Sequence, residues 1–496
     1  QRKYSFLSEL DLDDSVVYKI SLELDRIVAG SSVTFLSAIG SNNDVDQILS
    51  DWDNIFNSKA HTLSDELINL ESSNRRKYGP RSIAAPWCER KSMVDDYFTS
   101  DISKEFHSDH LSSLRPRLRP LNLQKAVTYT KNNTSSGLPF LQRKGMLRDI
   151  CLEDFDILMQ REDPCMLYTR TQEGGKTRTV FGYPMINGLN ESRFYRPLLE
   201  YQRKLPWRSS LSGPDKVNAR MTKLIENARA NKTLLASLDF AAYDASLKYN
   251  LQKEAFNYVK CLFQDKYSSE IDNIFRIFNT IGLITPDGVL KGPHGVPSGS
   301  TFTNEIDSIV QFLVANEYTG NDLCDIQGDD GVYVTHDPGK LINAFDLRGL
   351  KINEEKVNLS QRSVVYLQNL HSVDYMVNGK HIGIYPTYRA LCRIVFTERY
   401  NKYSDLGIDG SDYNSLRTIS ILENCKYHPL FDELVKFVCE LDKYNLRYSK
   451  NGLSKYIQHI QGSSGIEGIF DYRHGDNLSG LNNFATVRKL QAIYDA

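Results

Sequence analysis

Apolar positions along this chain follow two periods. Val45, Ile48, Trp52 and Ile55 recur at helical spacing and predict an amphipathic helix. From about 78 to 140 Pro, Gly and Arg are frequent, which predicts loops and short elements. The pattern changes at 232. KTLLASLDF is a short β-type run that ends on Asp239, and a helical pattern follows through about 264. Residues 302–314 (FTNEIDSIVQFLV) place Phe302, Ile306, Ile309 and Leu313 on one helical face. DIQGDDGVYVT reads as a hairpin with its turn at Gly328 to Gly331. Near the end, Leu416, Ile419 and Leu422, then Phe431, Leu434, Val438 and Leu441, predict further helices that carry no chemical motif. No repeat or low-complexity tract interrupts the chain.

With 496 residues, 41% hydrophobic and 25% charged, the chain can build a large core and several subdomains. The net charge of −2 excludes a globally basic protein, but the placement of charge matters more than its sum. Basic residues cluster at Arg75, Arg76, Lys77 and Arg81, at Arg115, Arg117 and Arg119, and at Arg203, Lys204 and Arg208. Such clusters are either solvated faces or a groove that neutralises phosphates. The eight cysteines show no CxxC pair and no zinc-like spacing, and are read as reduced, buried thiols of a cytosolic protein. No apolar run approaches the roughly 20 residues of a membrane span, and no signal peptide is visible. Because the first residue is Gln1, the natural N-terminus is expected to lie upstream.

The candidate chemistry is a set of aspartates in a fixed order: Asp239 and Asp244 in SLDFAAYD, then Asp329 and Asp330 in IQGDDGVYV. Between them lies GVPSGSTFTNEID, and upstream lies GGKTRTV. Phosphoryl transfer needs positioning and charge neutralisation more than covalent help. Two divalent cations about 3.5–4 Å apart provide both, and hard cations prefer carboxylate oxygen. Asp239 at a strand end and Asp329 at a hairpin turn can meet if their strands are neighbours. A lone D-x4-D is usually a cap and a lone GDDG a turn; the conjunction carries the reading.

In this order the segments resemble the motifs of viral RNA-dependent RNA polymerases. SLDFAAYD is similar to motif A, PSGSTFTNEID to motif B and QGDDG to motif C. GLKINEEK resembles motif D, GGKTR motif F and TSSGLP motif G; VVYLQNL stands where motif E belongs and matches least. The resemblance covers roughly residues 130–375, and its motif B form is most similar to double-stranded RNA viruses of the partitivirus and picobirnavirus type. It implies an α+β fold, a closed right hand with an antiparallel palm sheet backed by helices and a helical thumb. The implied division is 1–120 N-terminal extension and fingertips, 121–185 fingers, 186–262 palm, 263–291 fingers, 292–375 palm and 376–496 thumb.

Residue by residue, the resemblance implies that Asp239, Asp329 and Asp330 bind two Mg²⁺ or Mn²⁺ ions. Asp244, Thr303 and Asp307 would form the sugar pocket, since a carboxylate can accept a hydrogen bond from a 2′-hydroxyl. Ser298 and Gly299 would let the backbone approach the nascent pair. Lys176 and Arg178, with help from Arg170, would grip the triphosphate, and Lys356 would be the general acid, with Lys351 as competitor. Arg115, Arg117, Arg119, Ser136 and Gly137 would contact RNA. The implied partners are RNA template and product, nucleoside triphosphates and a viral capsid protein, with no membrane. The implied location is the virion interior and the host cytoplasm. Three alternatives compete. A reverse transcriptase is disfavoured by Asp244 where an aromatic is expected. A silent scaffold need not keep three carboxylates. A nucleotide cyclase would need neither the basic clusters nor the motif B loop.

Overall fold

The structure is a computed structural model that describes residues 3–99, 104–400, 403–464, 481 and 483–496. The longer helices of the N-terminal region are α1 (Asp14–Ala29), α2 (Val45–Lys59), α3 (Asp65–Arg75) and α4 (Trp87–Asp96). Helix α2 carries the predicted stripe, and the Asp44 carboxylate caps it by accepting from Asp46 N and Gln47 N. The apolar faces enter two different cores. Val16, Ile20, Leu24 and Ile27 of α1 pack with Cys165, Met166, Leu167 and Phe181. Ile48, Trp52 and Phe56 of α2 and Leu67 of α3 pack instead among C-terminal helices. Buried polar groups fix that second contact: Glu71 of α3 accepts from Thr387 Oγ1 and from Tyr388 N, and Trp52 Nε1 donates to Thr387 Oγ1 at 3.1 Å. The N-terminal segment therefore ties the two sides of the molecule together.

Strands β1 (Cys165–Thr171) and β2 (Thr177–Gly182) form a hairpin, followed by α5 (Met185–Gln202) and α6 (Pro214–Ala230). Then come β3 (Leu234–Leu238), α7 (Tyr249–Leu262), α8 (Ser268–Thr280), β4 (Leu283–Thr285) and β5 (Gly288–Leu290). The last two join the first hairpin in the order β2-β1-β4-β5. Helix α9 (Thr303–Thr319) leads to β6 (Cys324–Gln327), β7 (Asp330–Thr335), α10 (Pro338–Asp346) and β8 (Asn358–Ser360). Helix α9 runs past the predicted apolar face and stops at Gly320, whose φ of 65° suits a glycine C-cap.

The central sheet has the order β6-β7-β3-β8, and its neighbours are all antiparallel. Alternate side chains enter opposite layers. Ala236, Leu238, Ile326 and Tyr333 pack with α7, α9 and α10, while Leu235, Val332 and Val334 pack with α6. This is the antiparallel palm backed by helices that the sequence led us to expect. Beyond it lie the hairpin β9 (Ser363–Tyr366) and β10 (Asn369–Ser372), then α11 (Thr387–Val395), α12 (Gly410–Glu423), α13 (Phe431–Leu441) and α14 (Ala485–Asp495). The predicted C-terminal stripes lie on α12 and α13 and are buried, except for the half-buried Leu441.

Several expectations need correction. Cys88 is exposed and Cys261 half-buried, so the thiols are not uniformly buried. Arg75 makes a two-pronged contact with Asp53, and the buried Arg81 pairs with Glu398 and Glu173, so these two bind the protein itself rather than a phosphate groove. Arg208 is fully buried and faces Glu305, also fully buried: Nη1 to Oε2 is 2.5 Å and Nη2 to Oε1 is 2.8 Å. Among the described residues no helix is long and apolar enough to cross a membrane.

The Arg208–Glu305 pair joins the segment after α5 to α9. Arg208 Nη2 also donates to Gln327 Oε1 at 3.0 Å, just before the β6–β7 turn. Nearby, buried Glu191 of α5 accepts from Ser300 Oγ at 2.5 Å and from Thr301 N at 3.3 Å. Burial pushes its carboxyl up to about 8. Arg208→Met leaves a buried carboxylate unpaired and should destabilise the fold by about 3–5 kcal/mol in urea melts; Arg208→Met with Glu305→Leu should recover most of that loss. Glu191 binds its proton more tightly folded than unfolded, so stability falls as pH rises from about 4.5 towards 8. Glu191→Gln should flatten that dependence, with the largest gain in Tm over wild type above pH 8.

Candidate active site

The carboxylate cluster is set by strand register. In the β3–β7 pairing Leu238 lies opposite Gly331, so Asp239 follows β3 beside the start of β7, where Asp330 stands. Asp329 occupies the β6–β7 turn and is exposed. The turn is narrower than predicted: Gln327 and Asp330 already pair, leaving Gly328 and Asp329 between them. Gly328 has φ 63°, a conformation that favours glycine.

Helix α9 holds this turn from below. Ser308 Oγ accepts from Gly328 N at 2.8 Å, and Gln311 Nε2 donates to Gly328 O at 2.9 Å. Gln311 Oε1 also accepts from Tyr333 Oη at 2.6 Å. A Cβ on Gly331 would come within 1.8 Å of Gln311 Oε1, so a side chain there would displace the support. Ser308 and Gln311 were not singled out from sequence. Their signal was a polar pair three apart inside a helix otherwise apolar on that stretch.

Asp330 is held by the β9–β10 hairpin. Its Oδ2 accepts from Leu367 N at 3.0 Å, and Leu367 and Gln368 form the turn with φ of 50° and 68°. The weakly matching VVYLQNL segment thus supports an aspartate. Burial pushes the Asp330 carboxyl up to about 7, the Leu367 amide opposes this, and Asp329 and Asp239 push it further up. Asp239 is met by Lys356, whose Nζ lies 2.8 Å from its Oδ2. Lys356 therefore reaches the cluster, while Lys351 contributes a carbonyl that accepts from Ala241 N at 2.9 Å.

The donor chemistry fits a hard divalent cation: carboxylate oxygens brought near one another, with Asp239 already drawing an ammonium group. Among the described residues no three His, Cys, Asp or Glu side chains converge at ligand spacing. The physical reason is visible, since Asp239 is turned to Lys356 and Asp330 to Leu367.

A second acidic pair stands beside the first. Ala242, with φ 47°, turns the chain after β3 into the short helix Tyr243–Ser246. Asp244 does not cap the next helix, whose N-cap position is Lys248. Its carboxyl hydrogen-bonds that of Asp307 on α9, with Asp307 as donor. Burial pushes Asp307 well above the carboxylate range, and Asp244 adds to it. Asp307 is 5% exposed, yet its Oδ1 has no partner among the described residues. Tyr243 Oη fixes the helix by donating to Asp307 O at 2.8 Å.

Lys176 and Arg178 are exposed on the β1–β2 hairpin, and Arg178 is paired in register with Arg170. Burial lowers the Lys176 ammonium, Arg178 and Lys356 lower it further, and Asp239 and Asp329 oppose them. The hairpin therefore lies within electrostatic reach of the carboxylates.

Five residues serve the protein's own packing instead of the roles expected of them. The Ser298 hydroxyl donates to Thr179 O at 3.2 Å and accepts from Phe181 N at 3.1 Å, so it clamps β2. A Cβ on Gly299 would be 1.7 Å from Phe181 O, so the glycine admits the protein's own backbone, not a ligand. Thr303 Oγ1 donates to Pro297 O at 2.7 Å and Ser300 O at 3.0 Å, which occupies its hydrogen within its own loop. Ser136 is 1% exposed and Gly137 is packed on Tyr183 O, so neither offers RNA a surface. Arg115, Arg117 and Arg119 are exposed, and Arg115 Nη1 donates to Ser112 O and Leu114 O at 2.8 Å.

The chain is 28% identical over 475 residues to the "Potential RNA-dependent RNA polymerase" of human picobirnavirus (strain Human/Thailand/Hy005102/-), covering 88% of this chain and 87% of that protein. It is 25% identical over 210 residues to the RNA-directed RNA polymerase of Cryptosporidium parvum virus 1, 38% of each chain. In fold it is similar to the crystal structure of the RNA-dependent RNA polymerase of a human picobirnavirus, with TM-score 0.81 and 24% identity over 99% of this chain and 98% of that one. The sequence model of the family described as viral RNA-dependent RNA polymerase matches residues 91–379, which is more than half of the chain. With the motif order, the right-hand fold and the clustered aspartates, this match shows that the chain belongs to the viral RNA-dependent RNA polymerases, and its similarities are of the picobirnavirus type.

Proposed function

We propose that this polymerase adds nucleoside triphosphates to an RNA 3′-hydroxyl on an RNA template through two divalent cations, in transcription and replication of a double-stranded RNA genome. The observation that carries the reading is the β3–β7 register, which brings Asp239 beside Asp329 and Asp330. Asp239 and Asp329 would hold Mg²⁺ or Mn²⁺, with Asp330 as a third carboxylate. Bound there, the cations supply charge neutralisation for the attacking oxygen and the leaving pyrophosphate.

The remaining roles belong to the chain's own groups. Asp244 and Asp307 read the ribose through the unpartnered Asp307 Oδ1 and the shared carboxyl hydrogen bond. Lys176 and Arg178 draw the triphosphate from the β1–β2 hairpin, Arg through its planar fork of donors. Lys356 is held by Asp239 and is placed to give a proton to pyrophosphate once freed from it. The exposed Arg115, Arg117 and Arg119 remain candidates for backbone contacts with RNA. A capsid protein as partner, and action in the virion interior and the host cytoplasm, complete the proposal.

The test is synthesis on a single-stranded RNA template with four ribonucleotides and Mg²⁺ or Mn²⁺. Wild type should yield template-complementary product, and Asp329→Ala should yield none while still shifting RNA in a gel. Product from the purified variant would remove Asp329 from the site. In a separate measurement, Asp244→Ala should lower the ratio of ribo- to deoxyribonucleotide incorporation efficiency on the order of a hundredfold, because a site built to bond a hydroxyl rejects the analogue lacking it. An unchanged ratio would show that Asp244 does not read the sugar.

A further inference from the structure

The segment around Asp244 and Asp307 is held in part by the N-terminal part of the chain. Tyr97 is the C-cap residue of α4. Its carbonyl accepts from Gly295 N at 2.9 Å, and the next amide, Val296 N, donates to Asp244 O at 2.8 Å. Tyr97 and Asp244 therefore grip consecutive amides of the loop that leads into motif B. Lys248 Nζ also donates to Tyr97 O at 3.0 Å. The Tyr97 ring rests on Phe181 of β2 with centroids 5.3 Å apart, on the strand that carries Arg178. Three elements thus fix a half-buried ring beside the pocket, and its hydroxyl has no hydrogen-bond partner among the described residues.

The electrostatics agree with this placement. Burial pushes the Tyr97 phenol far above its ordinary value, Asp244 and Asp307 push it further, and Arg178 opposes them. The hydroxyl keeps its hydrogen at any working pH.

Of the residues assigned to the sugar, none offers a free donor, since the Asp307 hydrogen is given to Asp244. A ribose hydroxyl both donates and accepts. Asp244 offers acceptors, and the buried Asp307 Oδ1 is an acceptor without a partner. The Thr303 hydroxyl is occupied by Pro297 O and Ser300 O. The Tyr97 phenol, on a backbone held to the loop beside Asp244 and within electrostatic reach of both carboxyls, brings an O–H with no partner among the described residues.

We propose that Tyr97 is a ribose-binding residue, whose hydroxyl donates to the 2′-oxygen of the incoming ribonucleotide while the Asp244–Asp307 pair takes that hydroxyl's hydrogen. The proposal rests on the assignment of Asp244 and Asp307 to the sugar. It extends the sugar site to a residue outside motifs A and B.

The test compares wild type, Tyr97→Phe and Asp244→Ala in single-nucleotide addition of UTP and of dUTP on an RNA template, with kcat and KM for each. Tyr97→Phe keeps the ring on Phe181 and both backbone hydrogen bonds, and removes only the hydroxyl. The expected result is a roughly fivefold higher KM for UTP, the equivalent of one neutral hydrogen bond, with dUTP unaffected. An unchanged UTP/dUTP ratio in Tyr97→Phe, alongside a lowered ratio in Asp244→Ala, overturns the role of Tyr97 alone. Unchanged ratios in both variants overturn the sugar pocket itself. An equal fall for both nucleotides marks a packing role and overturns the proposal as well.

Discussion

A buried ion pair lies at the centre of this fold. Arg208 and Glu305 face each other with no solvent contact, and Arg208 continues to Gln327 at the end of β6. Removing two charges from water is unfavourable unless geometry and further hydrogen bonds compensate. Here the guanidinium fork meets both carboxylate oxygens. The contact sets three elements relative to one another: the segment after α5, the helix of motif B and the hairpin of motif C. The aspartates at that hairpin can repel one another without moving because the turn beneath them is fastened by Ser308 and Gln311 of the same helix.

The acidic site is consequently built from supports that differ for each carboxylate. Asp329 has a rigid turn, Asp330 a backbone amide from the β9–β10 hairpin, and Asp239 the ammonium of Lys356. The amide and the ammonium lower the electrostatic penalty of gathering negative charge in one place, while the turn only fixes the position of Asp329. Asp244 and Asp307 solve the same problem by a shared carboxyl hydrogen bond. The N-terminal segment adds a different constraint. Its helices enter the core around β1 and β2 and also the core of the C-terminal helices, so the two sides of the molecule cannot separate without exposing apolar surface.

The segment that resembles motif B shows how polar atoms can serve the protein's own loop. Ser298, Gly299 and Thr303 all stand where the motif order puts them, in the loop that Val296 N ties to Asp244 O. Their side chains nevertheless serve the loop: Ser298 and Gly299 bind β2, and Thr303 closes onto Pro297 and Ser300. A small or hydroxyl residue in a loop signals close backbone approach, but not which backbone approaches. The same holds for Arg81 and Arg208, whose basic neighbours suggested a phosphate groove and whose guanidinium groups are buried against glutamates.

Local periodicity was legible from the sequence: the stripe of α2, the run ending on Asp239, the α9 face and the hairpin of Asp329 each depend on residues a few positions apart. Motif order was legible too, because the chemistry of phosphoryl transfer restricts which residue types can serve. What only the tertiary structure decided are the partners of each polar atom. Glu191 with Ser300, Lys356 with Asp239, Leu367 with Asp330 and Tyr97 beside Asp244 join positions far apart in the chain. Whether a polar side chain faces a ligand, water or the protein's own backbone depends on what is packed against it, and no local pattern encodes that neighbour.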